Sequence, residues 1–248
     1  MNHSLNRCTD LVFSVVIPCF NEESYVCSLL SDLESQTIEL DKFEVVVVDN
    51  NSTDRTSQVV WDYAINSKLN IRILHEYTPG VSLARNRGSN IARGDVIVFL
   101  DADNALKESF LLRLYDYTVN RKYLAGSIRT LPDELDVKGW LVFTVLEIIK
   151  IFSFKPFGKS FVTKDVLYRS DGFNEDIVLG ENVEFLQKIK RIVKQQGGKF
   201  GHFRPGITCS LRRFKQVGYM KVLVPWLIAY LGVYSLKYKT MADFDEKT

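Results

Sequence analysis

The chain has 248 residues, of which 46% are hydrophobic and 25% charged. That composition is ordinary for a packed globular protein and excludes disorder as the main state. Four cysteines (Cys8, Cys19, Cys27 and Cys209), without CxxC pairing, exclude a small disulfide scaffold and are expected as reduced thiols on a cytosolic face. The formal net charge of +2 hides an uneven distribution. Residues 1–184 hold 19 basic and 27 acidic side chains, whereas residues 185–242 hold twelve basic and none acidic. No signal peptide, internal repeat or low-complexity tract is visible, and the apolar run Val12–Ile17 is too short for a leader's hydrophobic region.

The first half alternates strands and helices. Phe13–Ile17 reads as a short strand stopped by Pro18. Glu22–Gln36 carries Tyr25, Leu29, Leu30 and Leu33 at helical spacing. Phe43–Val48 is a continuous valine-rich run, as in a strand buried on both faces. Ser52 is expected to cap a helix running to Asn66. Ile71–Leu74 is a third strand, Ser82–Arg93 a helix closed by Gly94, Val96–Leu100 a fourth strand, and Lys107–Lys122 a further helix. This βαβα rhythm predicts an α/β fold with a mostly parallel sheet flanked by helices. In the second half, Trp140–Phe154 is an apolar helix with a narrow polar stripe (Thr144, Glu147, Lys150, Ser153), and Glu181–Gln196 is an amphipathic helix. Two short β-like runs follow, Lys199–Phe203 and Ile207–Leu211, and then the apolar stretch Val222–Leu236, interrupted by Pro225.

Ligands of open α/β sheets bind outside the carboxyl ends of the strands. Three polar clusters stand there: Pro18 to Glu22, Asp49 to Asp54, and Asp101-Ala102-Asp103. Asp-x-Asp after a buried strand suits Mg²⁺ or Mn²⁺, which bind through one or two carboxylates and substrate phosphates. Neither GxxxxGK[ST] nor a first-strand GxGxxG is present, so a phosphate would be held by metal and arginines. Arg85, Arg87 and Arg93 lie on the helix before the strand that leads to Asp101; for Arg93 a solvated basic face is the simpler reading.

The segments VVIPCFNEE (15–23), VVVVDNNSTDRT (45–56), GVSLARNRGSNIARGDVIVFLDADN (80–104) and GFNEDIVLGENVEF (172–185) resemble the family 2 glycosyltransferases with a GT-A fold, over roughly residues 13–215. The resemblance implies sugar transfer from a nucleotide diphosphate sugar, UDP- or GDP-linked, to an acceptor hydroxyl, with Mg²⁺ or Mn²⁺ and with inversion. It implies that Pro18, Phe20 and Glu22 border the nucleotide, that Asp49 accepts a hydrogen bond from the base, that Arg85 helps hold the nucleotide, that Asp101 lies near the ribose, and that Asp103 binds the metal. Family members usually carry Gly-Glu-Asp before the acceptor-side helix. This chain reads Gly180-Glu181-Asn182, so the usual aspartate base is replaced by an amide. Glu181 is the expected general base and Glu184 the fallback, while Glu175 and Asp176 read as loop or capping acids. Ser210-Leu211-Arg212-Arg213 resembles a Ser-x-Arg-Arg stretch of related transferases. Arg212 or Arg213 is expected to close over the diphosphate, with surface charge or contact with acidic lipid as the open alternative. His202 is a candidate third metal ligand, against an ordinary structural role.

The C-terminal quarter is basic and apolar. Val222–Leu236 is shorter than the ~20 residues a span requires. With Trp226, Tyr230, Tyr234 and Tyr238, and with Lys237 and Lys239, it reads as a helix lying in a membrane interface. The resulting organisation is an N-terminal tail (1–12), a GT-A domain (13–215) and a membrane-associating extension (216–248). The enzyme is expected at the cytosolic face of a membrane, acting in polysaccharide or glycolipid synthesis on a saccharide, lipid-linked or membrane-proximal acceptor, without nucleic acid. A nucleotidyltransferase and a catalytically weak nucleotide-sugar-binding scaffold are the alternatives.

Overall fold

The computed structural model describes residues 11–133, 136–153 and 156–230. Residues 1–10, which hold Cys8 and most of the expected N-terminal tail, and the chain beyond residue 230 lie outside them. Valine runs form the centre of the molecule: β1 (Phe13–Cys19), β2 (Phe43–Asp49) and β4 (Val96–Phe99) are buried on both faces, apart from half-buried Pro18. With β3 (Ile71–His75) they make four parallel strands. The sheet has eight strands in the order β3-β2-β1-β4-β7-β6-β8-β5. Its second half comprises β7 (Ser160–Thr163), antiparallel to β4, then β6 (Tyr123–Pro132), β8 (Lys199–Cys209) and the two-residue β5 (Asn104–Ala105).

Period-two alternation sends successive side chains to opposite faces. Phe13, Val15 and Ile17 enter one core with Leu29, Leu30 and Leu33 of α1 (Val26–Glu34). On the other face, Val16, Val46 and Val48 meet Ala84 of α3 (Val81–Ile91), and the same core continues to Phe185 and Ile189 of α7 (Glu181–Gln195). The contact of α3 with the sheet depends on Gly88: a Cβ there would stand 2.5 Å from Val16 Cγ1 and 3.0 Å from Val48 Cγ2. At the opposite edge from the strand ends, Glu44 is fully buried and accepts hydrogen bonds from Ser14 Oγ at 2.7 Å and Arg93 N at 2.6 Å. A third cluster (Phe143, Leu211, Phe214 and Val222) joins α5 (Val137–Ser153) to α8 (Arg212–Val217) and α9 (Tyr219–Tyr230).

Several expected boundaries move. Pro18 does not stop β1, which pairs with β2 in parallel register through Cys19↔Asp49. Ser52 does not cap a helix: its hydroxyl accepts the Asn21 N–H at 3.0 Å, and α2 begins only at Thr56 (Thr56–Asn66). The helix expected over 107–122 is reduced to α4 (Phe110–Tyr115) and a wider π turn, Asp116–Asn120. The two runs after Gly198 are one strand, β8, whose pairing with β6 shifts register between Ile128 and Thr130. β6, β7 and the short helix α6 (Lys164–Arg169) are additional to the elements read from sequence.

Candidate active site

The parallel strands carry the three polar clusters to one edge of the sheet. Asp49, the last residue of β2, is buried. Its Oδ1 accepts the Ser52 N–H at 3.1 Å and its Oδ2 accepts the Ser57 hydroxyl, with His75 Nδ1 3.5 Å away. Asn21 adopts the left-handed region (φ 55°), and its side-chain oxygen accepts the Thr53 N–H at 2.8 Å. The loops after β1 and β2 are thereby stapled together. Asn50 fastens the third loop, donating to Thr78 O at 2.7 Å and accepting from Gly80 N at 2.8 Å. Pro18 is half-buried at the end of β1 and Phe20 stands 48% exposed just beyond it.

The Asp-x-Asp turn divides its two carboxylates. Asp101 Oδ1 accepts from Arg85 Nη2 at 3.1 Å, and its Oδ2 pairs with Lys159 Nζ. Arg85 is buried on α3 and uses its other terminal nitrogen on Glu181 Oε1 at 3.0 Å, its guanidinium 5.2 Å from the Phe173 ring centre. One arginine thus ties the aspartate after β4 to the first residue of α7, with the fork geometry suited to carboxylates. Gly180, in the left-handed region at φ 92°, makes the turn that delivers Glu181. Asn182 Nδ2 donates to the same Glu181 Oε1 at 2.8 Å. Glu184 sits one turn on, 3.9 Å from Lys188, with a buried Oε2 that has no hydrogen-bond partner among the described residues. Glu175 accepts from Asn86 Nδ2 at 2.8 Å, a contact that holds the 172–175 loop to α3.

Asp103 faces the other way. Arg212, from the start of α8, pairs with Glu22 and places its Nε 3.9 Å from Asp103 Oδ2, while its guanidinium lies 4.2 Å from the Tyr25 ring centre. Burial pushes the Asp103 carboxyl up to about 6; nearby Arg212 opposes the rise and Glu22 adds to it. Burial also raises Glu22, and its buried Oε2 has no hydrogen-bond partner among the described residues. Lys159 is lowered to about 8 by burial and by the Arg85 charge. Two carboxylates across a single cation, one with an unsatisfied oxygen, fit a hard divalent ion that takes further ligands from phosphate and water. Among the described residues no group of three or more His, Cys, Asp or Glu side chains could enclose a metal by itself.

His202 is engaged elsewhere. Its Nδ1 lies 2.9 Å from Ser127 Oγ and its Nε2 3.0 Å from Glu147 Oε2, so both ring nitrogens are used in joining β6, β8 and α5. The Arg213 side chain lies outside the described residues. Lys159 is the site residue that sequence reasoning missed. It precedes a four-residue strand, and its only local signal is a Gly-Lys pair after an apolar helix.

The model of the family "Glycosyl transferase family 2" matches residues 14–176. The poly(ribitol-phosphate) beta-N-acetylglucosaminyltransferase TarS of Staphylococcus aureus is 38% identical over 101 residues, 40% of this chain and 17% of that protein. The minor teichoic acid biosynthesis protein GgaA of Bacillus subtilis is 27% identical over 202 residues, 75% of this chain and 45% of that protein. The chain therefore spans less than half the length of these curated relatives. Among solved structures, a mannosyltransferase of Pyrobaculum calidifontis in complex with GDP-Man and Mn²⁺ superposes with a TM-score of 0.66 at 21% identity, covering 89% of this chain and 64% of that one. TarS residues 1–349 with UDP-GlcNAc superpose with a TM-score of 0.64 at 21% identity, covering 81% and 58%. The fold is the GT-A fold of these transferases.

Proposed function

The chain belongs to glycosyl transferase family 2, and on that premise we propose that it transfers a sugar from a nucleotide diphosphate sugar to an acceptor hydroxyl, with inversion and with Mg²⁺ or Mn²⁺. The observation that carries this reading is the Arg85 bridge between Asp101 and Glu181, which joins the strand-end cluster to the acceptor-side helix. Asp49, fixed by Ser52 and Ser57, presents a carboxylate to the base, with Pro18 and exposed Phe20 at the rim of the pocket. Asp101 is held by Arg85 and Lys159 at the ribose. Asp103, with Glu22 beside it, would hold the metal, which stabilises the charge that develops on the leaving diphosphate. Arg212 exchanges its carboxylate partners for the diphosphate, and Arg213 is the second candidate for that contact.

Glu181 acts as general base. Among the described residues its hydrogen bonds, from Arg85 and Asn182, fall on Oε1, so Oε2 is the atom offered to the acceptor hydroxyl. Glu184 is the second candidate. The complexes of the fold neighbours with UDP-GlcNAc and GDP-Man support a UDP- or GDP-linked donor. The names of the relatives support a polymer of the poly(ribitol-phosphate) or teichoic acid kind as acceptor, and the basic, apolar C-terminal quarter supports a membrane-proximal one at a cytosolic face. A thermal-shift and hydrolysis screen of nucleotide sugars with Mn²⁺ tests the reading. One donor should raise the unfolding temperature and be hydrolysed slowly, and Asp103→Ala should abolish the hydrolysis. A panel in which no nucleotide sugar binds or is consumed would refute it.

A further inference from the structure

Helix α5 is apolar nearly all round, a property of helices that are either buried or in contact with lipid. Its inward side is accounted for. Phe143 and Leu146 are buried, Gly139 lies against Leu211, and Glu147 turns to His202 on the sheet. Its outward side carries Val137 (80% exposed), Trp140 (58%), Leu141 (59%), Val145 (45%) and Ile148 (48%). At 100° per residue these five occupy a single face. The neighbouring helix α9 adds exposed Met220 (69%) and Val224 (44%). Scattered exposed apolar residues are ordinary, but five on one face of a helix, beside a second helix joined to it through the Phe143–Val222 cluster, mark a contact surface. The polar stripe seen in the sequence therefore partly faces the sheet, and the apolar side is left to the outside.

The charges around this surface select the occupant. Lys138 and Lys221 are exposed on the same two helices, and residues 185–242, which include all of α9, contain no acidic residue. Trp140 is the kind of side chain that settles at the headgroup level of a bilayer. No described helix is long and apolar enough to cross a membrane. We propose that the outward faces of α5 and α9 together form a docking surface for an anionic lipid bilayer, in the manner of helices lying in the interface. The inference deepens the membrane-proximal acceptor reading and rests on it. The same helices connect to the site through Leu211 and Arg212, so an acceptor held at the bilayer would lie beside the diphosphate end of the donor pocket.

The test uses the full chain without donor, with phosphatidylglycerol vesicles and with phosphatidylcholine vesicles. The Trp140 contribution is isolated as the difference between the wild type and Trp140→Phe. With phosphatidylglycerol it should shift to the blue and be quenched by brominated acyl chains. Leu141→Glu combined with Ile148→Glu should weaken co-sedimentation with those vesicles by about tenfold or more, because two apolar side chains no longer leave water. Exposed positions should leave the unfolding temperature and donor hydrolysis in solution unchanged, which separates failure of the surface from failure of the catalytic reading. Unchanged vesicle binding by the double variant would overturn the proposal. So would protection of Trp140 from acrylamide before vesicles are added, or a dimer that the double variant converts to monomer.

Discussion

Asp103→Asn should abolish metal-dependent turnover and yet make the unliganded protein more stable at neutral pH. The carboxyl is displaced from 3.8 to about 6, chiefly by burial. With a folded value above the unfolded one, the folded state holds the proton more tightly, so ionisation at neutral pH costs the fold about 3 kcal/mol. The attraction of Arg212 is already contained in that value, so removing the charge should return up to about 3 kcal/mol. For a chain of this size that is a rise in unfolding temperature of up to about 6–12 °C. The sign fixes the pH window. Above about pH 6 both states are ionised and the difference between variant and wild type is full. Between about 6 and 3.8 the wild type takes up a proton on folding, gains stability as pH falls, and closes the gap. Thermal unfolding of both proteins from pH 8 to pH 4, without metal, measures this. An Asp103→Asn protein that is less stable than the wild type at pH 7.5, or a difference independent of pH, would refute the reasoning.

Three other outcomes follow from the same geometry. Arg85→Lys supplies one point charge where a fork bridges Asp101 and Glu181, so the unfolding temperature should drop by the equivalent of about 2–4 kcal/mol and turnover should fall with it; calorimetry and a hydrolysis assay read both. Glu181→Gln should lower kcat by about 10²–10⁴-fold with donor affinity kept, whereas Asn182→Asp replaces a hydrogen-bond donor to Glu181 by a like charge and should move the acid limb of the kcat–pH profile upward. His202→Gln should lower stability without changing the Mn²⁺ concentration needed for half-maximal activity, because the ring is committed to Ser127 and Glu147; a marked rise in that concentration would restore the histidine as a metal ligand.

The parallel half of the molecule was legible because its signals are local. Five buried residues in a row, Val45 to Asp49, announce both a central strand and the carboxylate at its end. The helices α1, α3 and α7 were legible by spacing, and Arg85 and Glu181 by the motifs around them. The mixed second half of the sheet was not. β7 has four residues, and β6 and β8 are specified by each other across about 75 positions of chain, as in the Ser127–His202 pair. Ser52 misled for a related reason: a serine before a helix reads as a cap, but here it serves a loop 31 residues away. Lys159 was invisible since its meaning comes wholly from Asp101, 58 residues earlier. What sequence cannot supply at this site is the pairing of ions that burial brings together from distant segments.

The reach of Arg212 to Glu22 spans 190 residues and has a consequence for synthesis. Chains are synthesised from the N-terminus, and a domain folds as a unit once its parts have emerged. Strands β1, β2 and β4, with every strand-end carboxylate, are available by residue 104, more than a hundred residues before the cation that sits between Glu22 and Asp103. During that interval Glu22 and Asp103 have been made and the arginine that faces both has not. The strand-end cluster is therefore electrostatically complete only late in synthesis, when α8 supplies the arginine that reaches back to the first loop.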